Sequence, residues 1–498
     1  MRERCGLRRG VLPPAVAFLR AGFSSFTTVP IARVSQRTQA AASRAKTDTL
    51  RRLRCWYPSV RRIPLLLGVI AVLLLPTAAG AATLKQTLSR AMSGAGSSSG
   101  AYVMDSDTGK TLFSRRASTP RSLASNTKLF TSAAVLGRYG PNASLATDLL
   151  GSGTLTTKGV WKGSVYLRGG GDPTFGSRSF ARSAYGSEAS VEELADQLDH
   201  AGFKSVTGSV YGDESSFDSL RGGPDSNYAT DIWVGPLSAI GFDRGLANSR
   251  GTAFQKIPPQ FAAAKLDAAL EKRGIKVRGK PRVGVAPEAA VELAEVRSPV
   301  VSTLLTIQNK DSDNYFAEML SKGLPMAPAE GGSLRRAEDP LPVTPTPGEP
   351  IGAPAERPST VGSTKGGARV ASKYARSLGA TVNLADGSGL SRADRAAPRE
   401  VAELLDGLRD KPGFSMLYKS LPIAGRDGTL ATRMRSGPAR GHCRAKTGTL
   451  TGVSALSGYC VTRSHRMLVF SVLMNNANVY TARSIQDRVA QALAGWRG

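Results

Sequence analysis

Along the chain the spacing of apolar positions changes character several times. AYVMDSDTGKTLFSRRA (101–117) sets two short apolar runs on either side of an Asp-Thr-Gly turn, which predicts two short strands. SNTKLFTSAAVLGRYG follows with apolar residues at helical spacing and a terminal glycine, so a hairpin is expected to feed a buried helix. From Ser164 to about Lys280 the pattern alternates: SVYLRGGG and SVTGSVYG read as strands, VEELADQLDHAGF and PQFAAAKLDAALEKRG as amphipathic helices, together a small α/β lobe. Helical periodicity returns over 298–324, with a break at Ser312-Asp313-Asn314. HCRAKTGTLTGVSALSGYCVT and HRMLVFSVLMNN then read as strands and ARSIQDRVAQALAGW as a closing helix, able to complete the sheet begun at 101–117.

Two stretches break this regularity. Between Pro325 and Pro358 there are nine prolines and almost no large apolar side chain, so a solvated loop or disordered linker interrupting a domain is expected at 325–360. The first 62 residues carry 14 basic side chains against 2 acidic ones, and the apolar run Ile63–Ala82, ending Ala79-Gly80-Ala81, follows them. A basic flank, an apolar core and an A-x-A site are the order of a secretory signal, which predicts export with cleavage after Ala81. An uncleaved N-terminal anchor giving membrane association is the alternative, weakened by Pro64, Pro76 and Gly80. Translation from a later start, for example Val60, is a further alternative.

The chain has 498 residues with 41% hydrophobic side chains, enough for a sizeable core. Its formal charge of +28 owes much to the leader, and the remaining basic residues are interspersed with acidic ones. Charge therefore supports a screened attraction to anionic envelope polymers or lipid headgroups and no specific nucleic-acid binding. Of four cysteines, Cys5 and Cys55 lie in the leader, leaving Cys443 and Cys460, too few for a disulfide-framed fold or a structural zinc. If 450–454 turns a hairpin, the two fall nearly opposite and a disulfide could pin the strand between them; two independent core cysteines are the alternative.

The chemistry begins with Ser125 and Lys128, three residues apart on one helix face. A serine hydroxyl needs a base, and lysine serves only when neutral, which burial or a neighbouring cation can bring about. The spacing alone says little, since Ser43 and Lys46 share it. Ser312-Asp313-Asn314 can relay a proton and hold an amide, or simply cap NYFAEML. Lys446-Thr447-Gly448-Thr449 can hold a carboxylate on an edge strand and bring backbone close to a reacting serine, or be an ordinary strand.

In the order S-x-x-K, S-x-N, K-T-G, the three motifs resemble the signature of β-lactamases and penicillin-binding proteins. From about Ala101 onward the chain is similar to the class C low-molecular-mass penicillin-binding proteins, the exported D-alanyl-D-alanine carboxypeptidases and endopeptidases. The likeness runs through GGGDPTF (169–175), GPLSAI (235–240), SDNYFAEML (312–320), DGSGLSR (386–392), LPIAGRDGTL (421–430) and AKTGTLTGVSALSGY (445–459).

This resemblance implies an α/β (α+β) fold: a β-lactamase/transpeptidase-like core, an antiparallel sheet flanked by helices, with an inserted α/β lobe. The expected division is a leader at 1–81, a discontinuous catalytic domain at 82–165 and 295–498, and a lobe at 166–294. It also implies a serine-type D-Ala-D-Ala carboxypeptidase, with endopeptidase action as a second capacity, acting on peptidoglycan stem peptides and acylated by β-lactam inhibitors, with no metal or cofactor. Ser125 is the implied nucleophile and Lys128 its base, while Ser312 and Lys446 deliver the leaving-group proton. Asn314 holds the substrate amide, Lys446 and Thr447 its carboxylate, and the N–H groups of Ser125 and Thr449 the oxyanion, Gly448 allowing the close approach. Two departures bear on specificity: residues 172–311 look shorter than in fuller members, and the proline-rich stretch looks additional. A β-lactamase, or a catalytically idle peptidoglycan-binding protein, are the alternatives.

Overall fold

The computed structural model describes residues 83–326, 334–336, 338–342, 344–348, 352–356 and 359–498. The leader, with its apolar run and proposed cleavage site, lies outside the described residues. No helix among the described residues is long and apolar enough to cross a membrane.

Residues 82–498 form one compact unit built on two sheets. The first is antiparallel, in the order Cys443–Leu450, Val453–Val461, Met467–Asn475, Ser99–Asp105, Thr111–Arg115, so the terminal strands complete the sheet begun by residues 101–117, as the sequence led one to expect. Successive side chains of a strand face opposite ways, and here each face is apolar. Ala101, Val103, Phe470, Val472 and Leu456 pack on one side with Leu88, Ile485, Val489 and Leu493, from the helices Leu84–Ala91 and Val479–Gly495. Tyr102, Met104, Val469, Leu473 and Tyr459 face the other side, where Phe130, Val401, Leu404 and Leu405 complete the largest core. Burial on both faces explains why these strands read as nearly continuous apolar runs.

The helix Thr127–Tyr139 runs through that second core, with ten of its residues buried, and stops at Gly140, whose φ is +79°. Around it pack the helices Val301–Lys310, Asn314–Gly323, Thr364–Ser377 and Pro398–Gly407.

The second sheet has eight strands and is mixed. Ala143–Leu155 pairs antiparallel with Val160–Gly169 and with Val291–Arg297, while Val160–Gly169 pairs parallel with Ser205–Val206 and Val210–Asp213. Val191–His200 and Pro258–Lys272 cover it through Leu194, Leu198, Leu266 and Leu270. The expected α/β alternation is thus present, on a sheet that also draws strands from residues ahead of 166 and beyond 294.

The proline-rich stretch departs in part from the expected solvated loop. Leu334–Arg336 adds a strand to Ala143–Leu145. The Arg335 Nε bonds Glu295 Oε2 at 2.5 Å, and Arg297 donates to the carbonyl oxygens of Asp339 (2.7 Å) and Pro340 (2.8 Å). Composition missed this because the docking is polar: main-chain pairing and buried charge substitute for the apolar surface that the segment lacks.

Candidate active site

Ser125 sits in a short 3₁₀ turn, Ala124–Asn126, that opens the buried helix Thr127–Tyr139. Its neighbour Ala124 is held at φ +45°, a left-handed conformation that a β-carbon disfavours. Ser312, in the break between two helices, is held at φ +58°. Backbone outliers of this kind persist only where surrounding structure imposes them, and both border the same cluster of side chains.

The Lys128 side chain is wholly buried. Its Nζ donates to Ser125 Oγ at 3.2 Å, to Asn314 Oδ1 at 2.7 Å and to the Ser388 carbonyl at 2.7 Å. Burial pushes its pKa down to about 8 against the attraction of Asp386, Glu318, Asp313 and Asp394. The fully buried Lys446 donates to Ser312 Oγ at 2.8 Å and to the Thr447 carbonyl at 3.0 Å. Burial, then the charge of Lys128, drives its pKa well below the ordinary lysine value, with only Asp311 opposing. Three segments far apart in the chain thus meet, two serine–lysine pairs lying side by side.

The strand Cys443–Leu450 closes the site. Side-chain alternation turns Lys446 and Gly448 toward Ser125, and Thr447 and Thr449 the other way. Thr449 Oγ1 accepts from Arg483 of the last helix at 3.3 Å, and Thr447 Oγ1 bonds Thr429 Oγ1 at 2.8 Å. A β-carbon added at Gly448 would lie 2.8 Å from the Leu123 carbonyl oxygen and 3.1 Å from the Ser125 nitrogen, so the strand passes in direct contact with the serine's backbone. Asn126 Nδ2 ties the two together by donating to the Lys446 carbonyl at 2.9 Å. Ala445 N–H points off the sheet to the Pro422 carbonyl (3.0 Å), and the alternation of an antiparallel ladder sends the N–H groups of Thr447 and Thr449 the same way. The strand lies at the sheet's edge, where an extended ligand can add.

Cys443 and Cys460 are directly opposed in this hairpin and form a disulfide. They belong to the core on the side of the last helix, facing away from Ser125. The hairpin turns at Thr451-Gly452, where Gly452 takes φ +74°.

Further contacts hold the cluster in place, several from residues such as Arg244 and Glu318 to which the sequence assigned no role. Asp313 is the cap of its helix, accepting from Phe316 N at 3.0 Å, while its neighbours Ser312 and Asn314 accept from Lys446 and Lys128. Arg244, from the segment between the lobe's strands, pairs with Asp313 at 2.5 Å and lies 5.0 Å over the Tyr315 ring. Burial works against the Asp313 carboxylate, yet Arg244 holds its pKa below the usual value. Asn314 Nδ2 donates to the Trp233 carbonyl at 3.2 Å. The loop DGSGLSR supplies the Ser388 carbonyl, and it is shaped by acids: Asp386 accepts from the N–H groups of Gly389 and Ser391, Glu318 from those of Gly387 and Ser388. Burial, then Asp386, raises Glu318 to about 7. The repeated Gly-Ser pattern after an aspartate was the only available signal for this loop.

Among the described residues, Asp148, Glu292 and Glu295 form the one acidic group whose ligand atoms lie close enough to hold a metal ion. Arg168, Arg297 and Arg335 pair with Asp148 and Glu295, which makes the group an ion-pair network instead.

A family model described as D-Ala-D-Ala carboxypeptidase 3 (S13) matches residues 81–257, 248–341 and 362–496. The chain is 28% identical to a D-alanyl-D-alanine carboxypeptidase of Actinomadura sp. (strain R39), covering 81% of this chain and 82% of that protein. It is 29% identical to the carboxypeptidase DacB of Mycolicibacterium smegmatis, over 78% of this chain and 79% of that one. Its fold is similar to the crystal structure of penicillin binding protein 4 from Haemophilus influenzae, with a TM-score of 0.64 and 21% identity over 81% of this chain and 97% of the other. A second structure of that protein, in complex with a β-lactam, gives a TM-score of 0.60.

Proposed function

The chain belongs to the D-Ala-D-Ala carboxypeptidase 3 (S13) family and is a penicillin-binding carboxypeptidase; from that premise we propose that Ser125 is its acylated nucleophile and peptidoglycan stem peptides its substrates. One observation carries the reading: a buried ammonium, its pKa lowered to about 8, lies 3.2 Å from Ser125 Oγ and is anchored by Asn314.

In the proposed reaction neutral Lys128 takes the Ser125 proton as Oγ attacks the carbonyl between two D-alanines. The N–H groups of Ser125 and Thr449, rigidly placed, receive the developing oxyanion. Ser312, bonded to Lys446, passes a proton to the departing amine, and the terminal D-alanine leaves. The proton gained by Lys128 then replaces the one lost from the Ser312–Lys446 pair, leaving Lys128 neutral to take a proton from the attacking water and return it to Ser125 Oγ as the acyl bond breaks. The substrate's carboxylate would lie against Lys446 and the Thr447–Thr429 pair. Its negative charge favours protonation of Lys446, which burial and Lys128 disfavour in the free enzyme, so binding itself would ready the proton donor. Asn314 would hold the penultimate amide.

Labelling by a fluorescent penicillin of the wild type beside Ser125→Ala tests this reading: label confined to the wild type supports it, and equal labelling overturns it. A label persisting for many minutes, with release of D-alanine from a D-Ala-D-Ala peptide, separates a carboxypeptidase from a β-lactamase. Cleavage of crosslinked peptide dimers would add endopeptidase action.

Peptidoglycan lies outside the cytoplasm, and we further propose that this chain is exported to reach it, the leader being removed after Ala81 or retained as an anchor. The mass of the mature protein distinguishes the two. The division into a discontinuous catalytic domain and an inserted lobe belongs to the same proposal, supported by Arg244 and Trp233 reaching Asp313 and Asn314 from the segment between the lobe's strands.

A further inference from the structure

Away from Ser125, at the start of the strand Cys443–Leu450, lies a cavity of about 520 Å³. Its walls include Arg435, Arg440, His442 and Arg463, with Thr462 and the backbone of Gly437, and no acidic residue lines it. Lys446 lies three residues into that strand.

The arginines here differ from those that the described residues hold in ion pairs. Arg168, Arg178, Arg221, Arg244 and Arg433 each pair with a carboxylate. The side chains of Arg435, Arg440, His442 and Arg463 are exposed and make no hydrogen bond or ion pair among the described residues. Acids on the flanking segments are engaged elsewhere, Asp427 with Lys310 and Asp487 with Arg433. One further cation lies close by: a β-carbon at Gly441 would touch the Arg426 guanidinium at 2.5 Å.

Like charges gathered around one concavity without internal counter-charge raise the local concentration of anions. Three arginines lining one cavity offer more N–H donors than a single carboxylate can occupy. They suit an anion with more than one charge and oxygens on several sides, because arginine grips phosphate through paired N–H donors. The volume lies within the range of small-molecule sites and exceeds one inorganic phosphate.

We propose that this cavity is a binding site for a phosphate-bearing anion, held by Arg435, Arg440 and Arg463. Occupied, it would tether the enzyme by its sheet edge to phosphorylated material while leaving the Ser125 face open.

The test titrates the full-length chain, at fixed ionic strength, with inorganic polyphosphate and with vesicles of phosphatidylglycerol or phosphatidylcholine. Wild type is compared with Arg435→Gln/Arg440→Gln/Arg463→Gln, with the single variant Arg440→Gln, and with Lys158→Gln/Lys162→Gln/Lys204→Gln, which removes equal charge from exposed positions on the other sheet. Loss of charge-assisted contacts predicts polyphosphate binding weakened roughly tenfold or more in the arginine variant and several-fold in Arg440→Gln, with the lysine variant near wild type. Penicillin acylation at the wild-type rate in each variant checks folding. Binding of phosphatidylglycerol vesicles with the same variant dependence assigns the phosphate to a lipid headgroup, and polyphosphate binding alone assigns it to a soluble phosphate. Absence of any phosphate binding, equal binding by wild type and both arginine variants, or equal losses in the arginine and lysine triple variants would overturn the proposal.

Discussion

Substitution of Gly448 by alanine probes the closure of the site most directly. The new methyl would meet the Leu123 carbonyl oxygen at 2.8 Å, the Ser125 nitrogen at 3.1 Å and the Ala455 Cβ at 3.1 Å. None of these can rotate away. The Leu123 oxygen also accepts from Asn126 N–H, within the turn that presents Ser125. Restoring ordinary contact at about 3.5 Å therefore requires the strand and the turn to separate by roughly half an ångström. A misplacement of about 1 Å in a catalytic constellation costs on the order of a hundredfold in rate, so about tenfold slower acylation is expected. Stability should change less. Overpacking costs about 1–3 kcal/mol, and replacing a strand glycine returns roughly 0.5–1 kcal/mol of it, leaving a melting temperature lower by only a few degrees. Stopped-flow acylation by a fluorescent penicillin, with a thermal melt on the same sample, measures both. An acylation rate within twofold of wild type would refute the argument that the strand is packed against the nucleophile's backbone.

Three further predictions follow from the same geometry. Because the Lys128 pKa is lowered to about 8 and only the neutral amine is a base, acylation should rise about tenfold per pH unit below that value and level off above it; a flat profile from pH 6 to 9 would exclude this assignment. Arg244→Gln removes the partner of Asp313, a partly buried pair, and should cost about 1–3 kcal/mol in a denaturant melt and slow acylation several-fold through displacement of Ser312 and Asn314; unchanged acylation kinetics would limit Arg244 to a structural part. The double variant Cys443→Ala/Cys460→Ala opens a crosslink spanning 17 residues and should lower stability by about 3 kcal/mol in denaturant, while penicillin still labels Ser125, since the bridge faces away from it; loss of labelling in folded protein would contradict that placement.

Local pattern was enough for much of this protein. The apolar runs flanking the turn at 101–117, the apolar helix after Ser125 and the terminal strands declare their own conformation, because side-chain pattern and turn chemistry act over a few residues. Ser125, Lys128, Ser312, Asn314 and Lys446 could be named because motif order carries chemistry that spacing alone does not. Tertiary structure decided what those residues experience. Lys128 has a lowered pKa only because separate segments bury it, and Asp386 and Asp394 matter to it only because a loop some 260 residues away folds over it, as Glu318 does only because the helix Asn314–Gly323 packs beside it. The docking of Leu334–Arg336, the grip of Arg244 on Asp313 and the gathering of unpaired arginines beside Cys443 left no periodic trace. Each depends on a charge or a backbone group finding a partner across space, and proximity of that kind is created by the packing of elements whose own patterns are blind to it.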